Sequence, residues 1–140
     1  MDVDKLDINS LKSEYSKYKK DLLHLNEYMY KNPELGYQEV KSVDKITKLI
    51  QKHVVDTKYK RFNDIPTAFT ASINKRAGKK NVAICIEYDA LPNVGHACGH
   101  NLISSIGLGT FFILSNYKND LDYEIKLVGC PAEELSLIHI

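Results

Sequence analysis

Residues 82–89 read Val-Ala-Ile-Cys-Ile-Glu-Tyr-Asp, and this stretch decides the fold. An apolar run without alternation predicts a strand that is buried on both faces, in the middle of a sheet. A helix is predicted over residues 102–117, where small side chains favour close packing on the sheet, and a further strand over residues 123–128. Strand, helix and strand in this order predict a right-handed crossover between parallel strands.

The sequence pattern before this strand–helix–strand unit predicts two helices and the first strand of a hairpin. Apolar residues recur at alternating spacings of four and three along residues 11–29, which indicates one helix with Ser10 as its cap. A second helix is predicted over residues 39–53, with His53 facing solvent near its end. A strand over residues 67–73 is expected to form a hairpin with the strand at 82–86. We therefore expect helices on both faces of a mixed sheet.

Composition excludes several classes of function. The 140 residues carry a formal net charge of +1, which gives no electrostatic reason to expect a nucleic acid or an anionic membrane as partner. No run approaches the roughly 18 apolar residues of a membrane helix. The polar, acidic N-terminus does not resemble a secretory signal, so we expect a cytoplasmic protein. Three cysteines at irregular spacing do not describe a disulfide framework.

Acidic residues follow two of the predicted strands. The first strand runs into Glu87 and Asp89, and the last is followed by Cys130-Pro-Ala-Glu-Glu134. The carboxyl ends of parallel strands meet at one end of a sheet, where ligands bind in such folds. The loop between them carries His96-Ala-Cys-Gly-His100, so a thiolate, imidazoles and carboxylates converge on one candidate site for Zn²⁺ or a similar cation. Of two adjacent glutamates, one can bind a metal while the other accepts a proton from water.

Other interpretations of these residues remain open. Cys98 and His100 are also compatible with structural roles in a loop, or with a thiol nucleophile and its base. His96 is compatible with a hydrogen bond that holds the turn or with metal ligation. Cys85 is interpreted as a core residue. Glu39 and Glu87 are interpreted as a helix-surface acid and a strand-end acid.

Four motifs in order resemble those of a known family. The motifs are Asn32-Pro-Glu-Leu-Gly-Tyr-Gln-Glu39, Glu87-Tyr-Asp-Ala-Leu-Pro92, Gly95-His-Ala-Cys-Gly-His-Asn101 and Pro131-Ala-Glu-Glu134. They resemble the N-terminal motifs of the aminoacylase and carboxypeptidase-type metallopeptidases, the M20 family, in its aminoacylase-like branch. The resemblance spans residues 22–134, which is almost the whole chain.

The resemblance implies a fold and a set of roles. The fold would be an incomplete three-layer α/β/α catalytic domain of the zinc-peptidase type with a mixed sheet. Cys98 and His100 match the first metal ligands, Glu134 matches a further ligand and Glu133 matches the general base. Asp89 matches the acid behind the metal site, where it orients a ligand, and the role of Glu87 stays open.

The resemblance also implies a reaction. One or two divalent metal ions, Zn or Mn, would activate water for hydrolysis of the amide bond of a small dipeptide or N-acyl amino acid, as in β-alanyl-lysine dipeptidases. Glu133 would pass the proton to the leaving amine. The parent protein would be a homodimer through a further domain that is not among these residues.

The last six residues depart from the family pattern. We therefore expect two parts, residues 1–134 from the catalytic domain and residues 135–140 as a tail foreign to the family, with no ligand role for His139. The family supplies two more metal-binding histidines beyond this region, so we expect the chain alone to have little or no activity. The alternative to an enzyme is a non-catalytic metal-binding or interaction module.

Overall fold

The computed structural model describes residues 7–74 and 80–138, which form four helices and four strands. The bounds are α1 Ile8–Lys31, α2 Val40–His53, β1 Lys58–Arg61, β2 Phe69–Ile73, β3 Lys80–Glu87, α3 His100–Asn116, β4 Tyr123–Cys130 and α4 Glu133–Ile138. The predicted α/β class with a mixed sheet is confirmed. Within the described ranges, no helix combines the length and the apolar character needed to cross a membrane.

The four strands form one sheet in the order β1-β2-β4-β3. β3 and β4 are parallel and joined through α3, which confirms the predicted crossover. The predicted hairpin is wrong, because β4 lies between β2 and β3 and forms an antiparallel ladder with β2. Most of the polar turn proposed for that hairpin, residues 75–79, lies outside the described residues. The short polar strand β1, which pairs with β2, was not predicted.

β3 lies at the edge of the described sheet rather than in its middle. The side chains of its apolar run lie in two different environments, because alternate residues face opposite sides of the sheet. Ile86 is buried on the side of α3, while Val82 is 42% exposed near the start of the strand. Ala83 and Cys85 face the other side and are exposed. The expectation that this strand is buried on both faces is therefore wrong for the described residues, and so is the assignment of Cys85 to the core.

One hydrophobic core joins the helices α1, α2 and α3 to a single face of the sheet. The apolar stripe of α1 is buried from Tyr18 to Met29, and α2 contributes Val43, Ile46 and Ile50. α3 packs Phe111 against these side chains and the inward residues of the strands. This helical layer covers one face of the described sheet and leaves the carboxyl ends of β3 and β4 accessible, so the expectation of helices on both faces is not met by α1, α2 and α3.

The ends of both N-terminal helices differ in detail from the prediction. Asp7, and not Ser10, caps α1 by accepting a hydrogen bond from the Asn9 amide at 3.2 Å. His53 does not face solvent: its Nε2 lies 2.7 Å from the Asp21 carboxylate, and its ring contacts those of Tyr18 and Phe112. The apolar stripe could not reveal this, because the aromatic neighbours of His53 come from two other helices.

The predicted C-terminal tail begins inside a helix. α4 starts at Glu133 and continues through position 138, so four residues of the proposed tail extend the helix that carries the two glutamates. Leu135 lies close to Gly36, where an added methyl group would come within 3.1 Å of the leucine Cδ1 atom. His139 lies outside the described residues.

Two glycines of α3 provide a matched test of how this helix packs. A methyl group added at Gly107 would overlap the Cγ2 atom of Ile86, whereas one added at Gly109 would meet the flexible end of Leu22 at 2.9 Å. We expect Gly107→Ala to lower the free energy of unfolding by about 1–3 kcal/mol through overpacking. Gly109→Ala should be close to neutral, because alanine favours the helix and the leucine methyl can move. Chemical denaturation of both variants checks this, and equal losses would contradict it.

Candidate metal centre

The parallel ladder of β3 and β4 brings two acidic segments together. Glu87, the last residue of β3, is the register partner of Cys130, the last residue of β4. The segment from Pro131 to Glu134 follows directly and turns into α4. Both acidic strand endings therefore lie at the same end of the sheet, which confirms the prediction made from their order in the sequence.

A tight loop after β3 places His100 at this end of the sheet. Leu91 and Gly95 exchange backbone hydrogen bonds of 3.0 and 3.1 Å, which closes the turn after β3. Gly99 then adopts a left-handed conformation with φ of 81° immediately before α3. A glycine has no Cβ and accepts this conformation without strain. His100 thus becomes the first residue of α3 and points from a rigid helix into the site.

Asp89 fixes the orientation of the His100 ring. The Nδ1 atom lies 2.9 Å from the Asp89 carbonyl oxygen and 3.0 Å from its Oδ1 atom. In the neutral ring with a proton on Nδ1, this N–H donates to the carbonyl oxygen, and Nε2 carries the lone pair. Histidines that bind metals are held in this way through the other ring nitrogen.

Three carboxylates surround the remaining nitrogen of His100. Its Nε2 atom lies 3.4 Å from Glu87 Oε2, 3.7 Å from Glu133 Oε2 and 3.6 Å from Glu134 Oε1. We call Glu87, Glu133 and Glu134 the carboxylate cluster. One ligand atom from each of Glu87, His100 and Glu133 falls within 4.8 Å of the others. The structure therefore assembles a donor set of one imidazole and several carboxylates.

This donor set fits a divalent cation. A lone pair on Nε2 and the surrounding carboxylate oxygens are all acceptors, so their approach is unfavourable unless a positive charge lies between them. Ligand bonds of about 2.1 Å in tetrahedral geometry separate neighbouring donors by roughly 3.4 Å. The observed separations from Nε2 are 3.4–3.7 Å. Nitrogen and oxygen donors at this spacing suit Zn²⁺ and Mn²⁺.

The predicted ligand Cys98 lies beside Glu134. A hydrogen bond with the Glu134 carboxylate is the main cause that raises the pKa of the Cys98 thiol above its ordinary value. A raised pKa disfavours the thiolate form and hence a role as an unassisted nucleophile. Of the three predicted ligands, Glu134 thus contacts both Cys98 and His100.

The predicted base Glu133 lies in the same cluster. Its pKa is raised above the ordinary value, chiefly through burial and then through the charge of Glu87. The main chain at the start of α4 is held by Asp89, whose Oδ2 atom accepts a hydrogen bond of 3.1 Å from the Glu134 amide. Asp89 thus contacts both His100 and the backbone of Glu134, as expected of an acid behind the site.

Sequence reasoning missed Glu39 and left the roles of Glu87 and His96 open. Glu39 is not a helix-surface acid but a fully buried residue whose carboxylate accepts a hydrogen bond from the Ala132 amide. Glu87 is a strand-end acid that also faces His100; its position beside Asp89 was the available signal. His96 is 7% exposed, and neither ring nitrogen has a hydrogen-bond partner. No pattern in the sequence indicated the burial of Glu39, because its partner lies 93 residues away.

Comparison with known proteins relates the chain to hydrolases, although no protein-family profile matches it. The mouse Xaa-Arg dipeptidase is 33% identical over 121 residues, which cover 79% of this chain and 28% of that enzyme. The N-acetylcysteine deacetylase of Bacillus subtilis strain 168 is 25% identical over 132 residues, which cover 82% of this chain and 33% of that enzyme.

A solved structure gives the same relation at the level of the fold. The chain superposes on the YXEP protein of Bacillus subtilis, described as a dinuclear metal-binding peptidase from the M20 family, with a TM-score of 0.75 and 24% identity. The match covers 89% of this chain and 37% of that one. The chain thus spans about a third of the length of the proteins it matches.

The raised pKa of Glu133, caused first by burial and then by the charge of Glu87, makes the stability of the metal-free chain depend on pH. Because the pKa of Glu133 is raised in the folded state, its contribution to stability declines as the pH rises from its unfolded value toward the raised value. Glu133→Gln should therefore raise the melting temperature at pH 7 and have no such effect below about pH 4. Thermal unfolding with a chelator present measures this change.

A matched control separates the effect from a general loss of negative charge. Glu27 lies on the surface of α1, where a hydrogen bond with Lys31 lowers its pKa. Glu27→Gln removes the same charge but also an attraction, so the melting temperature at pH 7 should not rise. An equal rise in both variants would show that the cluster is not under electrostatic repulsion.

Proposed function

We propose that this chain belongs to the aminoacylase and carboxypeptidase-type metallopeptidases of the M20 family and forms part of a metal-dependent amidohydrolase. The observation that carries the proposal is the approach of three carboxylates to Nε2 of His100, at separations of 3.4–3.7 Å. The relatedness to hydrolases of dipeptides and N-acyl amino acids, as their names state, supports the same conclusion.

We assign metal ligation to Cys98, His100 and Glu134, with Glu87 as a further donor. A divalent cation held by these residues would act as a Lewis acid and lower the pKa of bound water. Asp89 keeps the ring of His100 in place through Nδ1 and leaves Nε2 for the cation. The hydrogen bond between Cys98 and Glu134 places a thiol on the same side, where a cation would displace its proton.

We assign the role of general base to Glu133. It begins α4 beside Glu134, and its Oε2 atom reaches within 3.7 Å of His100 Nε2. A carboxylate at this position takes a proton from the attacking water and returns it to the leaving amine. In this proposal Glu134 binds the cation and Glu133 takes up the proton, although both carboxylates lie within 3.7 Å of His100 Nε2.

The proposed substrate is a small dipeptide or N-acyl amino acid. The mouse relative is named for dipeptides that end in arginine, which supports a substrate with a basic C-terminal residue, such as a β-alanyl-lysine-like dipeptide. The deacetylase relative supports a small acyl group on the other side of the scissile bond. We further propose that the complete protein is a cytoplasmic homodimer that uses Zn or Mn, as one or two ions.

We propose that the 140-residue chain alone has little or no activity. It spans about a third of the length of its relatives, so the remaining ligands and the substrate pocket would come from other residues. We also retain residues 1–134 as the catalytic part and residues 135–140 as a tail foreign to the family. A metal-binding module without catalysis is the alternative that the experiments below distinguish.

The metal site can be tested by binding of Co²⁺ to the 140-residue chain. We expect an absorption band from cobalt–thiolate charge transfer, which Cys98→Ser abolishes because it removes the sulfur. His100→Ala and Glu134→Gln should weaken binding by at least about tenfold. Cys85→Ser is the matched control, since Cys85 is an exposed cysteine outside the proposed ligand set. A thiolate band that survives Cys98→Ser would place the cation elsewhere.

Catalysis can be tested in the complete protein that carries this segment. Glu133→Gln should lower kcat by about 10²–10⁴-fold while the metal content stays unchanged, because only the base is lost. Release of free amino acid from β-alanyl-lysine and from N-acetylcysteine measures the rate. A metal-loaded wild-type protein that hydrolyses neither these nor a panel of related dipeptides would favour the non-catalytic module.

The chain by itself provides the complementary test. With added Zn²⁺ or Mn²⁺ it should bind metal but release no amino acid from the same substrates above the background rate. Measurable turnover by the purified 140-residue chain would contradict the proposed inactivity.

A further inference from the structure

Glu39 is a buried carboxylate that connects the N-terminal half of the chain to the segment carrying Glu133 and Glu134. Its side chain is fully buried, and its Oε1 atom accepts a hydrogen bond of 2.8 Å from the Ala132 amide. The second oxygen, Oε2, is buried without a hydrogen-bond partner. A buried carboxylate is costly unless a specific interaction compensates, so this contact calls for an explanation.

Ala132 occupies the position where the chain turns from β4 into α4. Its φ of 55° lies in the left-handed region, which a residue with a Cβ adopts only when the surrounding structure holds it there. The hydrogen bond that this residue's amide donates to Glu39 fixes its position. The direction in which the next residue, Glu133, leaves the turn depends on this backbone conformation.

The same turn is packed from another side by the loop that precedes Glu39. A methyl group added at Gly36 would come within 2.9 Å of the Ala132 Cβ atom and 3.1 Å of its Cα atom. The absence of a side chain at Gly36 therefore lets the two backbones approach. Ala132 is thus held by a hydrogen bond at its amide and by close contact at its side chain, both from residues 36–39.

We propose that Glu39 is a positioning residue that directs Glu133 and Glu134 toward His100 by holding the left-handed turn at Ala132. It acts together with Asp89, which accepts a hydrogen bond from the Glu134 amide at 3.1 Å. Glu39 and Asp89, two buried carboxylates from distant parts of the chain, thus accept hydrogen bonds from the two ends of the segment 132–134. The inference rests on the proposed function only for the use of the glutamates as ligand and base.

Amide hydrogen exchange in the metal-free 140-residue chain tests the positioning directly. Glu39→Ala should expose the Ala132 amide and also accelerate exchange at the Glu134 amide by at least about tenfold. The second effect is the diagnostic one, since the acceptor of Glu134 is Asp89 and is untouched by the substitution. Glu39→Gln keeps an oxygen acceptor and should retain protection at both amides. Exchange resolved by residue with NMR measures both sites.

Two controls keep the result interpretable. Leu25→Ala, a core substitution in α1, reports how general destabilisation affects the two amides. Gly36→Ala presses on Ala132 from its other side and should also accelerate exchange at the Glu134 amide. If Glu39→Ala accelerates exchange only at Ala132, or no more than Leu25→Ala does at Glu134, Glu39 has a local structural role and the inference is overturned.

Metal affinity provides the functional readout. Glu39→Ala should weaken Co²⁺ binding by about tenfold, and Glu39→Gln should restore it to within about threefold of wild type. A Glu39→Ala variant that binds Co²⁺ as tightly as wild type would overturn the inference. If wild type itself binds no Co²⁺, the proposed metal site fails, while the exchange measurement still decides whether Glu39 positions the turn.

Discussion

The parallel pairing of β3 with β4 is the constraint on which the rest of the site depends. Its register aligns Glu87 with Cys130, so the acid that ends one strand lies next to the turn that follows the other. A shift by one residue would send alternate side chains to the opposite face. α3 makes this pairing possible, because a parallel connection needs a crossover, and the same helix presents His100 at its first turn.

Much of this arrangement was accessible from the sequence, because it depends on local patterns. The order of strand, helix and strand in residues 82–128 predicted the crossover. The acids that follow the two strands predicted the meeting of Glu87 with Glu133 and Glu134. The position of β4 between β2 and β3 was not accessible, because a short polar turn favours a hairpin and only long-range pairing decides against it. The apolar run of β3 likewise does not specify which residues cover its outer face.

The acids of this chain illustrate why residue type alone does not reveal a role. Glu34, Glu39 and Asp89 all accept hydrogen bonds from backbone amides, which stabilise a carboxylate without any cation. Glu87 and Glu133 instead face His100 together with another carboxylate. A single sequence cannot separate these two groups, since the donors to Glu39 and Asp89 lie 93 and 45 residues away along the chain.

Because some acids accept backbone amides and others face His100, folding and metal binding are coupled. The carboxylates that accept backbone amides hold the start of α2 and the turn at residues 132–134 in place. The ionised form of Glu133 opposes the fold, because burial, and then repulsion by the charge of Glu87, raise its pKa. A cation that binds only the folded chain removes this repulsion and adds its binding free energy to stability. Glu39 and Asp89, which accept the Ala132 and Glu134 amides, hold the turn in place against this unfavourable contribution.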